Sequence, residues 1–227
     1  MSDPRAQVAS AARMLARAGL VHAFGHVSMR VDDGIAITST RPLASASPDD
    51  VLLVGSDGEV RSGPADAVPI ELALHRGIFA ARSDLGAIAR GHPPAAVVWG
   101  VGLEDLPLIH GLGALAGERV AVHPDLDLIA TDEQALGVAR SLGGGYGLIL
   151  RGNGALACGA TPLEAATRLF FLEDRARVAL GRWSGPTGRP PEAEGWSRRL
   201  RHVDAELERA TAWFEEVFGD GRSDGKG

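Results

Sequence analysis

Two short turns constrain this chain more than any other local feature. Asp32-Asp33-Gly34 separates the β-rich runs Val27 to Val31 and Ile35 to Ser39, and Ser56-Asp57-Gly58 separates Val51 to Val54 from Val60. Turns of this composition join neighbouring antiparallel strands, so the first third of the chain is predicted to be largely antiparallel sheet. The period then changes. Ile70, Leu74, Ile78 and Ala81 share one helical face, and Gly86 to Arg90 reads as a strand ending at Gly91-His92-Pro93-Pro94.

Asp3 and Pro4 open a helix at about 4 to 18, stopped by Gly19. Thr131 with Gln134 and Thr161 with Glu164 are capping boxes for helices to about Leu142 and Leu180, with strands at Tyr146 to Leu150 and Ala155 to Cys158 between them. Interleaved helices and strands along one stretch predict an α/β fold with one mainly antiparallel sheet. We expect a single domain over 1–181, a Gly/Pro-rich linker at 182–191, a C-terminal helical arm of the same domain at 192–218 and a disordered tail at 219–227. Val203, Leu207, Ala210, Phe214 and Val217 place an apolar stripe on that arm, suited to core or to a neighbouring subunit.

Composition narrows the function. The 227 residues are 45% hydrophobic, enough for a sizeable core, and the net charge of −6 argues against a nucleic-acid partner. No apolar run reaches bilayer length and the N-terminus lacks a signal-peptide pattern, so no membrane association and a cytoplasmic location are expected. The lone cysteine, Cys158, excludes an internal disulfide and reads as a buried small hydrophobe. The only lysine is Lys226, next to the C-terminal Gly227, so Schiff-base chemistry and a phosphate-loop lysine are both excluded in practice. Any carbonyl chemistry must rest on carboxylate, histidine, arginine or metal.

Four segments in order carry a resemblance: Gly25-His26-Val27-Ser28-Met29-Arg30, Glu71-Leu72-Ala73-Leu74-His75, Gly91-His92-Pro93-Pro94, and Leu150-Arg151-Gly152-Asn153-Gly154 followed by Gly159. Over roughly residues 5 to 180 the chain resembles the class II aldolase/adducin family. The resemblance implies a three-layer α/β/α sandwich and commonly a homotetramer with active sites between subunits. It also implies sugar-phosphate aldolase, epimerase, dehydratase or decarboxylase chemistry with a divalent metal on three histidines and a nearby glutamate as acid/base. Glu71 matches that glutamate and His92 the second histidine of a His-x-His pair. The other two ligand positions are Arg90 and Asn153.

These departures bear on both metal and substrate. A guanidinium cannot ligate a cation and its charge repels one, so we expect no cofactor or a weakly held divalent metal, with His92 the one inherited ligand. His26, His110 or His123 would have to rebuild a site. Pro69-Ile70-Glu71 stands where phosphate-binding relatives carry hydroxyl donors, which argues against a sugar phosphate. Leu108-Ile109-His110-Gly111-Leu112-Gly113 resembles strings of the decarboxylase-like branch.

By residue spacing alone, Arg90 and His92 share a strand face, and His75 follows Glu71 by four on one helix face, within reach of a hydrogen bond. The expectation is a carbon–carbon lyase for a small carboxylated, non-phosphorylated hydroxy or aromatic substrate. Glu71, His92 and Arg90 are its catalytic candidates, and His26, Ser28, Ser39, Arg151, Asn153 and His110 its substrate-binding candidates. The competing reading is a non-catalytic, adducin-like structural protein, in which Arg90 pairs with Glu71 or Asp84 for stability.

Overall fold

A computed structural model describes residues 3–102, 104–182 and 193–220. Eight strands form one sheet in the order β4-β3-β2-β1-β5-β8-β7-β6. They are β1 (His26–Val31), β2 (Gly34–Thr38), β3 (Val51–Gly55), β4 (Val60–Ser62), β5 (Ala87–Gly91), β6 (Val120–His123), β7 (Gly147–Leu150) and β8 (Gly154–Gly159). All neighbours are antiparallel except β6 with β7. Both turns do what their composition dictates: Gly34 has φ +136° and Gly58 has φ +89°, the region that favours glycine.

Side-chain alternation builds the two outer layers. On one face Val27, Ala36, Ala87, Ala89, Ala155 and Ala157 pack under α1 (Pro4–Arg17), α3 (Pro94–Gly100) and α5 (Pro162–Arg182). On the other face Ile35, Ile37, Leu52, Ile88, Leu148, Leu156 and Cys158 pack against α2 (Leu72–Ala81) and α4 (Asp132–Leu142). The central strands β5 and β8 therefore show alanines to the long helix α5 and larger side chains to α2 and α4, so α5 approaches the sheet closely. This is the three-layer sandwich expected from sequence.

Boundaries agree with the local signals. The Thr131 box is complete, with its hydroxyl accepting from the Gln134 N–H at 3.3 Å and Gln134 Oε1 accepting from the Thr131 N–H at 3.1 Å. Cys158 is fully buried and burial pushes its thiol up to about 12, as suits a small hydrophobe. Sequence reading passed over α3 and β6, both too short for periodicity to mark.

The C-terminal arm is two helices, α6 (Ala193–Leu200) and α7 (Val203–Phe218). Its stripe does not wait for a neighbour: Phe214 is fully buried, with its ring 5.7 Å from Phe170 of α5 and 4.9 Å from Phe218. Asp220, placed by sequence reading in a disordered tail, accepts hydrogen bonds from Arg13 and Arg17 of α1. The expected linker beyond Arg182 and the tail beyond Asp220 lie outside the described residues.

If the arm is integral to the fold, Phe214→Ala should lower the unfolding free energy by about 3–5 kcal/mol, the range for a buried aromatic truncated to a cavity. Denaturant titration showing a loss under about 1 kcal/mol would instead make the arm an appendage.

Candidate active site

Strand register sets the floor of the site. His26 of β1 lies directly opposite Arg90 of β5, so both side chains leave the same face of the sheet, toward α2. Glu71, the residue preceding α2, meets Arg90 there: Nη2 donates to Oε1 at 3.2 Å, and Nε lies 3.0 Å from Oε2 as an ion pair without hydrogen-bond alignment. The two side chains are only 1% and 8% exposed. Burial lowers the Arg90 pKa and Glu71 opposes that shift, which leaves a dehydrated pair of opposite charges.

His92 follows just past the end of β5, where its N–H donates to the Leu20 carbonyl at 2.8 Å. Arg90 Nη1 lies 2.7 Å from Nε2 of His92, and Nδ1 lies 3.2 Å from the Phe24 carbonyl. Arg90 Nη1 also lies 3.2 Å from Nδ1; a guanidinium only donates and a carbonyl only accepts, so the shorter contact assigns the lone pair facing Arg90 to Nε2 and leaves the Nδ1 proton for the Phe24 carbonyl. Burial, then the Arg90 charge, lower the pKa of His92. Asn153 also hydrogen-bonds His92. It is carried between Gly152 at φ +63° and Gly154 at φ +108°, where an added Cβ would meet the Gly91 carbonyl oxygen at 2.2 Å. The close approach to Gly91 requires glycine at 154, and the left-handed backbone at 152 favours it, which together set Asn153 beside His92.

These groups form the floor of a cavity of about 290 Å³ lined by His26, Glu71, Arg90, His92 and Asn153, with Phe24, Ile70, Leu128 and Arg41 among its other wall residues. Phe24, Ile70 and Leu128 are largely exposed, so the wall above a polar floor is apolar. The chemistry available is a carboxylate acid/base, a permanent cation in contact with it, and neutral imidazoles.

Other candidates from sequence lie elsewhere. Ser28 is buried with its hydroxyl 2.7 Å from Nδ1 of the fully buried His75, so the hydrogen bond to Glu71 that spacing put within reach is not the one His75 makes. Ser39 braces a loop, its hydroxyl accepting from the Arg41 N–H at 3.4 Å. Arg151 donates its backbone N–H to the His123 carbonyl and does not line the cavity. His110 does not line it either; it lies near Asp174 of α5, with Nε2 3.7 Å from the carboxylate. His123 hydrogen-bonds Ser141 at 2.8 Å. Arg90 pairs with Glu71; Asp84 pairs with Arg82. Sequence reading missed Arg41, Phe24 and Leu128. Arg41 follows Ser39 and Thr40 at the C-terminal end of β2, a position that strand ends commonly give to ligands, whereas Phe24 and Leu128 carry no signal outside the fold.

Residues 6–180 match the family described as Class II Aldolase and Adducin N-terminal domain. The chain belongs to this family. It is 32% identical over 190 residues to a 3,4-dihydroxyphthalate decarboxylase of Terrabacter sp. (strain DBF63), spanning 78% of this chain and 80% of that protein. It is 31% identical over 149 residues to a 5-methylthioribulose-1-phosphate/5-deoxyribulose-1-phosphate aldolase of Rhodospirillum rubrum, spanning 64% and 65%. Its structure superposes on that of an L-fuculose-1-phosphate aldolase from Thermus thermophilus with a TM-score of 0.72 and 29% identity, covering 82% of this chain and 100% of that one.

Class II aldolases usually use a divalent metal, and the residues at this floor do not fit one. The Nε2 lone pair of His92, the group that would ligate, is taken by Arg90, and an incoming cation would sit against a guanidinium that cannot release its charge. Among the described residues no group of three or more His, Cys, Asp and Glu side chains is arranged to hold a metal.

The purified protein should therefore contain well under one transition metal per chain. Elemental analysis giving close to one per chain, lost on His92→Ala, would restore a metal centre. The histidines give a second expectation. Burial, then the charges of Arg90 and His92, hold His26 down to about 3, and burial holds His75 well below its ordinary 6.5. Each stays neutral in the fold but takes a proton in the unfolded chain below pH 6.5, so each stabilises the fold above that pH and loses its contribution as pH falls. Stability at pH 5 should be lower than at pH 8, by about 2 kcal/mol from His26, with His75 adding in the same direction. Urea titrations at the two pH values, giving equal stability, would contradict this.

Proposed function

We propose that the protein is a carbon–carbon lyase that acts at this cavity on a small carboxylated, non-phosphorylated hydroxy or aromatic substrate, by decarboxylation or aldol-type cleavage. The observation that carries the reading is the contact between Glu71 and Arg90 on the floor of an open cavity. Both reactions break a carbon–carbon bond and leave the bonding pair on the substrate as an enolate-like anion. In decarboxylation the other product is CO2; in aldol cleavage it is a carbonyl compound, formed as a base takes the hydroxyl proton.

Arg90 supplies the positive charge that such an anion needs as it forms, in a site too dry for water to screen it. Glu71 accepts the hydroxyl proton in aldol cleavage and passes it to the carbanion carbon; in decarboxylation the proton comes from water, and Glu71 relays it to the carbon that has lost CO2. His92, neutral and fixed in one tautomer, orients Arg90 from the other side. The relatives named as 3,4-dihydroxyphthalate decarboxylase and as a methylthioribulose-phosphate aldolase support lyase chemistry. Pro69 and Ile70 in the wall, which bring no hydroxyl donors, support a substrate without phosphate. We take the protein to work in the cytoplasm as a homotetramer. The exposed side chains of Val98, Val101 and Leu112, outside the cavity, support assembly, since apolar surface of this kind is commonly covered.

The adducin-like, non-catalytic reading keeps one observation in its favour: Glu71 already has a buried partner in Arg90. Release of CO2 or a carbonyl product from a panel of hydroxybenzoates and hydroxy acids separates the two. Glu71→Gln should lower kcat at least about 100-fold. It should also cost about 3 kcal/mol of stability, because it strands the buried Arg90 charge. Glu71→Gln combined with Arg90→Met should recover that stability and stay inactive. Full turnover by Glu71→Gln would remove Glu71 from the mechanism.

A further inference from the structure

The cavity holds a second guanidinium that the chemistry above leaves unused. Arg41 sits in the loop leaving β2, and that loop is pinned by three successive backbone donors. Ser39 N–H donates to the Asp50 carbonyl at 3.0 Å, Thr40 N–H to the Ala67 carbonyl at 2.9 Å, and Arg41 N–H to the Ser39 hydroxyl at 3.4 Å. The starting point of the side chain is thus fixed. Its guanidinium donates through Nη1 to Asp50 at 2.7 Å, and among the described residues it has no other side-chain partner, so the remaining donors are available to a ligand.

The two arginines of the cavity differ in what they can do. Arg90 is 1% exposed and its charge is matched by Glu71; Arg41 is 54% exposed, bonds Asp50 and feels the charge of Asp66, neither of which lines the cavity. With His26 and His92 held toward their neutral forms, Arg41 leaves the lining with an excess of positive charge. The cavity therefore offers an anion the free donors of Arg41 on one side and does its chemistry at its Arg90 side.

Decarboxylation decides which anion Arg41 serves. The departing carboxylate loses its charge as it becomes CO2, so a guanidinium gripping it would stabilise the ground state more than the transition state and slow the step. An arginine that helps such a site must hold an anion that the substrate keeps. A planar fork of donors beside one threonine suits a two-oxygen carboxylate, whereas a phosphate asks for donors around three oxygens, and Pro69 and Ile70 supply none. Phe24, Ile70 and Leu128 offer apolar surface to whatever joins the two ends.

Resting on the lyase reading, we propose that Arg41 anchors a second, retained carboxylate, and that the substrate class is an aromatic dicarboxylate whose other carboxylate departs as CO2, with the carbon that bore it facing Arg90 and Glu71. Calorimetric titration with benzene-1,2-dicarboxylate, benzoate and phenyl phosphate tests this without any turnover. The wild-type protein should bind the dicarboxylate at least about tenfold more tightly than benzoate, as expected for a hydrogen bond to a charged group, and added salt should narrow the gap. Arg41→Gln should erase the gap and Arg41→Lys restore part of it, with melting temperature unchanged because the side chain is exposed. Equal binding of dicarboxylate and benzoate by the wild type, or a gap that survives Arg41→Gln, overturns the role of Arg41. Phenyl phosphate binding more tightly than the dicarboxylate overturns the carboxylate assignment. Failure of the lyase reading shows separately, as no CO2 release from any hydroxylated aromatic acid, and removes the substrate class while the titration still decides the anchor.

Discussion

The buried pair of Arg90 and Glu71 is the interaction on which the site depends. Taking two charges out of water costs several kcal/mol for each, and their attraction offsets that only when geometry holds them together. Here the geometry comes from the sandwich itself: β5 presents Arg90 on the sheet face that α2 covers, and the start of α2 brings Glu71 down onto it. The pair also governs its neighbours. Its cation adds to burial in keeping His26, His75 and His92 toward neutrality, and it takes the lone pair of His92.

Most of the fold was legible because its signals are local. The Asp32-Asp33-Gly34 turn and the Thr131 and Thr161 boxes each specify an element without reference to anything distant. The division of the sandwich into an alanine-rich layer under α5 and a larger-residue layer under α2 and α4 appears only once the helices are placed on the sheet. α3 and β6 escaped because 7 and 4 residues are too few to display a period.

The site was legible only in part, for a physical reason. Arg90 and His92 come together through a two-residue spacing, and Glu71 joins them where the family motif places it; those were readable. Helical spacing puts His75 within reach of Glu71, but Glu71 precedes the helix at ψ +15°, and His75 turns toward the sheet, where Ser28 of β1 meets it. His110 shares a motif with decarboxylase-like relatives yet lies beside α5, because the sequence string fixes a loop and not which end of the sandwich the loop visits. Arg41 was missed beside Ser39, which was chosen: the hydroxyl proves to be a brace and the next residue but one carries the charge.

Replacing a divalent ion by a guanidinium changes which substrates a site of this kind suits. A guanidinium spreads one positive charge over three nitrogens and forms hydrogen bonds but no coordinate bond, and in this protein Glu71 already balances much of that charge. Its help to a developing enolate is therefore smaller than that of a metal ion bearing two charges at bonding distance. On the proposed reading the substrate must make up the difference by delocalising the electron pair itself. A hydroxylated aromatic ring does so through its own π-system, whereas an aliphatic sugar aldol leans on the cation for nearly all of it. On that reading, Arg90 and Asn153 at the positions where the family resemblance implies metal ligands, and Pro69 and Ile70 where it implies hydroxyl donors, favour the same substrates, ring-bearing acids over aliphatic sugar phosphates.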